Sequence, residues 1–78
     1  MRTKEFIEKI EDLGFHIFKN RTTIEIIDVD LGTIAIVVRN VEMQMDNKFY
    51  WWDKLDDDRK ESVFKLMSEL AMTKIKDR

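Results

Sequence analysis

The sequence predicts an α+β domain: a two-layer sandwich of one helix, a three- or four-stranded antiparallel meander and a second helix, with both helices on one face of the sheet. Three observations predict it. Apolar residues recur every three or four positions at both ends of the chain, β-branched residues crowd the middle, and short polar turns divide the middle into runs. With 78 residues the chain has room for a single domain, residues 1–78.

Over residues 3–13 the apolar side chains Phe6, Ile7, Ile10 and Leu13 fall on one helical face, and Lys4, Glu5, Glu8, Lys9, Glu11 and Asp12 fill the other. Thr3 is expected to cap the first amides. Gly14 suits the left-handed residue that closes a helix, and this ending would fold Phe15 back onto Ile10.

The period then drops to two. Phe15 and Ile17 alternate with His16 and Phe18 before Asn20-Arg21 supplies turn chemistry. Residues 22–29 and 33–40 are the two strongest strands, joined by a short hairpin loop, Asp30-Leu31-Gly32, whose glycine can take a positive φ. Residues 41–46 alternate again. They fit either a fourth, shorter strand or a continuation of the third past a bend at Asn40.

Four aromatics, Phe49, Tyr50, Trp51 and Trp52, precede the last helix. Asp56 is its expected N-cap, with Asp57 and Asp58 in the first turn where the helix dipole favours negative charge. Val63, Phe64, Met67, Leu70 and Ala71 make its apolar stripe to about Thr73, with Leu66 at the edge and Met72 on the far side. Lys74, Lys76 and Arg78 would complement the carbonyl end.

Alternation in the two best strands places Ile24, Ile26, Ile34, Ile36 and Val38 on one side. Thr23, Glu25, Ile27, Val29, Thr33, Ala35, Val37 and Arg39 fall on the other. The second side is too apolar for a purely solvated surface, so Ile27, Ala35 and Val37, with Tyr50 and Trp51, are the candidate partner-binding residues. The bland alternative is that two of the four aromatics close the core and the others cover the sheet edge. Met43, Met45 and Met72 would suit an adaptable contact surface, or fill the core.

Composition narrows the function. There is no cysteine, so neither a disulfide framework nor a thiolate metal site can form. The one histidine, His16, sits in an alternating strand with no partner nucleophile, and Ser62 and Ser68 lie mid-helix, so no enzymatic activity is expected. The run Asp28-Val29-Asp30-Leu31-Gly32 opens like a calcium loop, but its glycine comes one place early and its twelfth position is Arg39. The carboxylates Asp53, Asp56, Asp57 and Asp58 form an acidic patch that could hold a hard cation, yet helix capping accounts for the last three. No metal and no cofactor are expected.

The helix, three strands, helix order is also that of double-stranded RNA-binding domains, but the net charge is −2 and residues 40–58 carry six acids against two bases. Nucleic acid is therefore not an expected partner, and an RNA-binding domain stays the weakest reading. Charges interrupt the first turns where a secretory signal would be apolar, so the sequence is expected to begin where its gene does. No apolar run approaches the roughly 20 residues of a membrane span. A cytoplasmic protein, away from membranes, is expected.

The opening segment Thr3-Lys4-Glu5-Phe6-Ile7-Glu8-Lys9-Ile10-Glu11-Asp12-Leu13-Gly14-Phe15 resembles small phage- and prophage-encoded proteins of Gram-positive bacteria. So do the closing segments Asp53-Lys54-Leu55-Asp56, Phe64-Lys65-Leu66-Met67 and Ala71-Met72-Thr73-Lys74-Ile75. The resemblance spans nearly the whole chain and departs from the pattern at Lys74, where proline is common. It implies no catalytic or ligand residues. Size and element order are also similar to nuclease-inhibiting anti-CRISPR proteins of such prophages, by analogy of shape. The expectation is a non-enzymatic phage or prophage accessory protein that binds another protein, or itself as a homodimer. An acidic inhibitor of a host nuclease, working through Asp53, Asp56, Asp57 and Asp58, is the alternative.

Overall fold

The computed structural model describes residues 1–47 and 50–78; Lys48 and Phe49 lie outside the described residues. The elements are α1 (Thr3–Asp12), β1 (His16–Lys19), β2 (Thr23–Asp28), β3 (Gly32–Val38), β4 (Met45–Asp46), a 3-10 turn (Tyr50–Lys54), α2 (Asp57–Met72) and a last 3-10 turn (Ile75–Asp77). The sheet is antiparallel throughout, in the order β1-β2-β3-β4. Both helices lie on one face of it. Phe6 and Ile10 of α1, and Val63, Met67 and Leu70 of α2, share one core cluster with Ile24, Ile26 and Val37 of the sheet.

Of the two readings of residues 41–46, the structure shows a separate fourth strand, shortened to Met45–Asp46, paired Val37 to Met45 and Ile36 to Asp46. The residues before it turn. Met43 takes φ +61, a left-handed conformation that a side chain with a Cβ adopts at some cost, and its N–H donates to the Ala71 carbonyl at 2.7 Å.

One irregularity reverses the face assignment of β3. Ile26 pairs with Ala35, but the next residue, Ile27, pairs with Thr33, so Ile34 is an extra residue on β3. A bulge lets two consecutive side chains share a face. Ile34 and Ala35 are both buried in the core, and Val37 follows them there opposite Ile24. Ile36 and Val38 point to the other face, beside Glu25 and Thr23. Two candidate partner-binding residues, Ala35 and Val37, are thus core residues with no exposed surface.

Helix starts and stops divide the same way between local and distant causes. Gly14 takes φ +96 and its N–H donates to the Glu11 carbonyl at 2.9 Å, as the helix-closing motif requires, and Phe15 is buried just beyond it. Thr3 is not the cap. It is the first helical residue, Arg2 stands at the cap position without a side-chain bond, and the Thr3 N–H donates to the Arg78 carbonyl at 2.9 Å. Asp56 caps α2 as expected, its carboxylate accepting the Arg59 backbone N–H at 3.1 Å. The buried stripe of α2 is rotated toward Leu66, which packs on the core, so Phe64 on the opposite flank stays exposed. After Met72 the chain is extended at Thr73 and takes φ −57 at Lys74, values that proline and the residue before it also adopt.

Arg78 ties the open end of the sandwich together. Its guanidinium donates to the carbonyls of Ala71 and Thr73 at the end of α2, at 2.9 and 3.0 Å, and to those of Val38 and Arg39 after β3, at 3.0 and 3.1 Å. One side chain thereby links carbonyls at the end of a helix to carbonyls at the end of a strand, sharing the Ala71 oxygen with the Met43 N–H.

The bulge predicts that two isosteric changes one residue apart differ in effect. Val37→Thr places a hydroxyl in the core and should lower stability by about 1–3 kcal/mol, whereas Val38→Thr should stay within about 0.5 kcal/mol. Urea denaturation measures both. Arg78→Ala should cost about 1.5–3 kcal/mol, and Arg78→Lys should recover little of it, because a single ammonium cannot reach four carbonyls on two elements.

Candidate functional site

Among the described residues, neither helix covers the face of the sheet away from them. Register builds it in rows: His16, Ile27 and Thr33; then Phe18, Glu25, Ile36 and Asp46; then Thr23 and Val38. Paired residues on one face have their Cβ atoms about 4.5–5.5 Å apart, so each row is a continuous strip. Phe18 is 53% exposed, and Ile27, Ile36 and Val38 are half-buried. Glu25 stands at the centre between Phe18 and Ile36, accepting a hydrogen bond from the Thr33 hydroxyl at 3.2 Å.

The candidate residues separate. Ile27 belongs to this open face, whereas Ala35 and Val37 lie beneath it in the core. Tyr50 is 66% and Trp51 38% exposed, and they form their own edge-to-face pair with ring centroids 4.6 Å apart. A Cβ built on Gly32 would meet the Trp51 ring at 3.4 Å. Gly32 lies opposite Asp28, whose carboxylate reaches Arg59 of α2, so Trp51 stands on the helix side of the β2–β3 hairpin. Trp52 packs against the core, and Lys54 places its ammonium 5.2 Å from the Tyr50 ring centre. The candidate Phe49 lies outside the described residues.

Phe18, Ile36 and Val38 are the open-face residues that sequence reasoning did not name as candidates. Alternation already set Phe18 opposite Ile17, which was the available signal; Ile36 and Val38 were hidden by the bulge. Met43 and Met72 are highly exposed, and Met45 packs against the core. With Val41 and Ile75, the two exposed methionines flank the contact between the turn after β3 and the end of α2.

Asp53, Asp56, Asp57 and Asp58 are all exposed around the start of α2. They are not equivalent. Asp56 accepts from the Arg59 guanidinium at 2.6 Å as well as from its backbone N–H, and these bonds hold its carboxyl below the usual aspartate range. Arg59 also reaches Asp28 at 3.3 Å and lies over the Phe15 ring at 5.2 Å from its centre. The guanidinium thus joins the helix start to the hairpin and to the core edge. Among the described residues, no group of three or more His, Cys, Asp or Glu side chains is arranged to hold a metal ion.

The geometry defines a class: a two-layer α+β domain with an open, half-apolar sheet face. No helix among the described residues is long and apolar enough to cross a membrane. Compared with protein-family models, with curated proteins and with solved structures, the chain matches none.

The Asp56 contacts carry a pH dependence. Because its folded-state pKa is depressed, Asp56 contributes stability above the unfolded aspartate value, and that contribution is lost as the pH falls through the folded value. Asp56→Ala should lower the thermal midpoint at pH 7 and flatten the acid limb of the stability curve. Asp56→Asn keeps a cap acceptor, so it should retain more of the pH 7 stability while showing the same flattening.

Proposed function

We propose that this chain is a non-enzymatic protein-interaction module that docks a partner protein on the open face of its sheet. The observation that carries the reading is Phe18, exposed in the middle row of a face that also holds Ile27, Ile36 and Val38. An isolated exposed aromatic is ordinary; one set among half-buried aliphatics on a flat surface has the composition of an interface centre. The Tyr50–Trp51 pair stands on the helix side of the hairpin and lies outside this face. The resemblance of the terminal segments supports an accessory role for a phage or prophage, exercised in the host cytoplasm.

A second reading rests on its own observation. Asp53, Asp57 and Asp58 remain exposed after Asp56 is taken up by Arg59, and an inhibitor that occupies a nuclease's nucleic-acid groove would present such carboxylates.

Phe18→Ser combined with Ile36→Ser is the test. The pair should leave the fold intact by circular dichroism and abolish retention of a partner captured by the wild-type chain. Sedimentation at micromolar concentration reports the homodimer arm in the same samples. Equal retention by both proteins overturns the open-face reading, and loss only on charge reversal of Asp57 and Asp58 transfers the role to the acidic patch.

A further inference from the structure

The chemistry of the open face specifies its occupant further, on the reading that this face is the docking surface: we infer that it takes a partner segment with an arginine set among apolar side chains. Glu25 sets the requirement. Its carboxylate occupies the centre of the face, between Phe18 on β1 and Ile36 on β3, with Ile27 next to it on the same side of β2. Among the described residues it has no ion pair; its bond is to the Thr33 hydroxyl. The paired rows of this face contain no Lys or Arg.

An occupant that covers Phe18, Ile27 and Ile36 therefore covers Glu25 as well. A wholly apolar occupant would strip water from the carboxylate and return nothing, which is the costliest outcome at an interface. A second copy docked about a two-fold axis through the middle row would set Glu25 against its own mate, so like charge disfavours self-association here. Polynucleotide phosphate is disfavoured for the same reason. A cation removes the penalty. Arginine fits better than lysine, because its planar guanidinium can take both carboxylate oxygens while lying against the Phe18 ring. The flanking apolar residues of the partner would then cover Ile27, Ile36 and Val38.

Selection from a library of random linear peptides displayed against the immobilised wild-type, Glu25→Gln and Phe18→Ser chains tests this. Thermal unfolding first establishes that each variant is folded. Wild type should enrich peptides with Arg flanked by apolar residues. In fluorescence anisotropy, changing that Arg to norleucine should weaken binding about tenfold or more to wild type and far less to Glu25→Gln, while Phe18→Ser should weaken both peptides. Enrichment of apolar peptides without Arg, dependent on Phe18 and indifferent to Glu25, would overturn the arginine inference and leave the interaction module standing. No enrichment on wild type over Phe18→Ser would overturn both. A wild-type dimer dissolved by Phe18→Ser would make the occupant a second copy and likewise reject the arginine segment.

Discussion

The extra residue at Ile34 decides what this protein can present to a partner. Without the bulge, strict alternation would carry Ile34, Ile36 and Val38 to one side and Ala35 and Val37 to the other. With it, the small Ala35 and the β-branched Val37 fill the layer beneath α1 and α2, and the larger Ile36 joins Val38 on the open face. The exchange suits the packing. Ala35 and Val37 are both completely buried there. The same irregularity therefore sets the density of the core and the apolarity of the surface opposite.

The sandwich is fastened at both ends by arginines with different duties. Arg59 sits at the hairpin end, where it bonds Asp56 in its own first turn and Asp28 across the layer, with its flat face over Phe15. Arg78 sits at the opposite end and gathers carbonyls from α2 and from the segment after β3, while its own carbonyl receives the first amide of α1. A small core benefits from such ties, because fraying of a short helix or strand end exposes a large share of it. Both arginines make charge-assisted bonds, Arg59 to two carboxylates and Arg78 to four backbone carbonyls.

Much of the architecture was legible in the sequence, and the reasons are local. Gly14 ends α1 because its own backbone can take a positive φ, and Asp56 begins α2 because its side chain reaches the Arg59 amide. What was illegible depends on contacts distant in the chain. Thr3 looks like a cap until Arg78 supplies the acceptor from the far end, and Phe64 looks like core until the rotation of α2 favours Leu66. Residues 34–38 are apolar at every position, so alternation there is mute, and only pairing with β2 reveals the bulge. The open face suffered most from this. Of its aliphatic members, Ile27 was placed on this face because β2 alternates cleanly, whereas Ile36 and Val38 were exchanged with Ala35 and Val37.

That exchange changes the character of the surface as well as its membership. The face expected from alternation set Glu25 among Ile27 and the smaller Ala35 and Val37, with Arg39 on the same side. The observed face has a projecting ring at Phe18, larger aliphatics at Ile27, Ile36 and Val38, and a carboxylate at its centre. On the proposed docking reading, affinity and selectivity are carried by different side chains. The ring and aliphatics favour any apolar occupant roughly in proportion to the area covered, whereas Glu25 penalises every occupant that fails to answer its charge. On the proposed docking reading, the group that keeps the free face hydrated is also the one that screens what covers it.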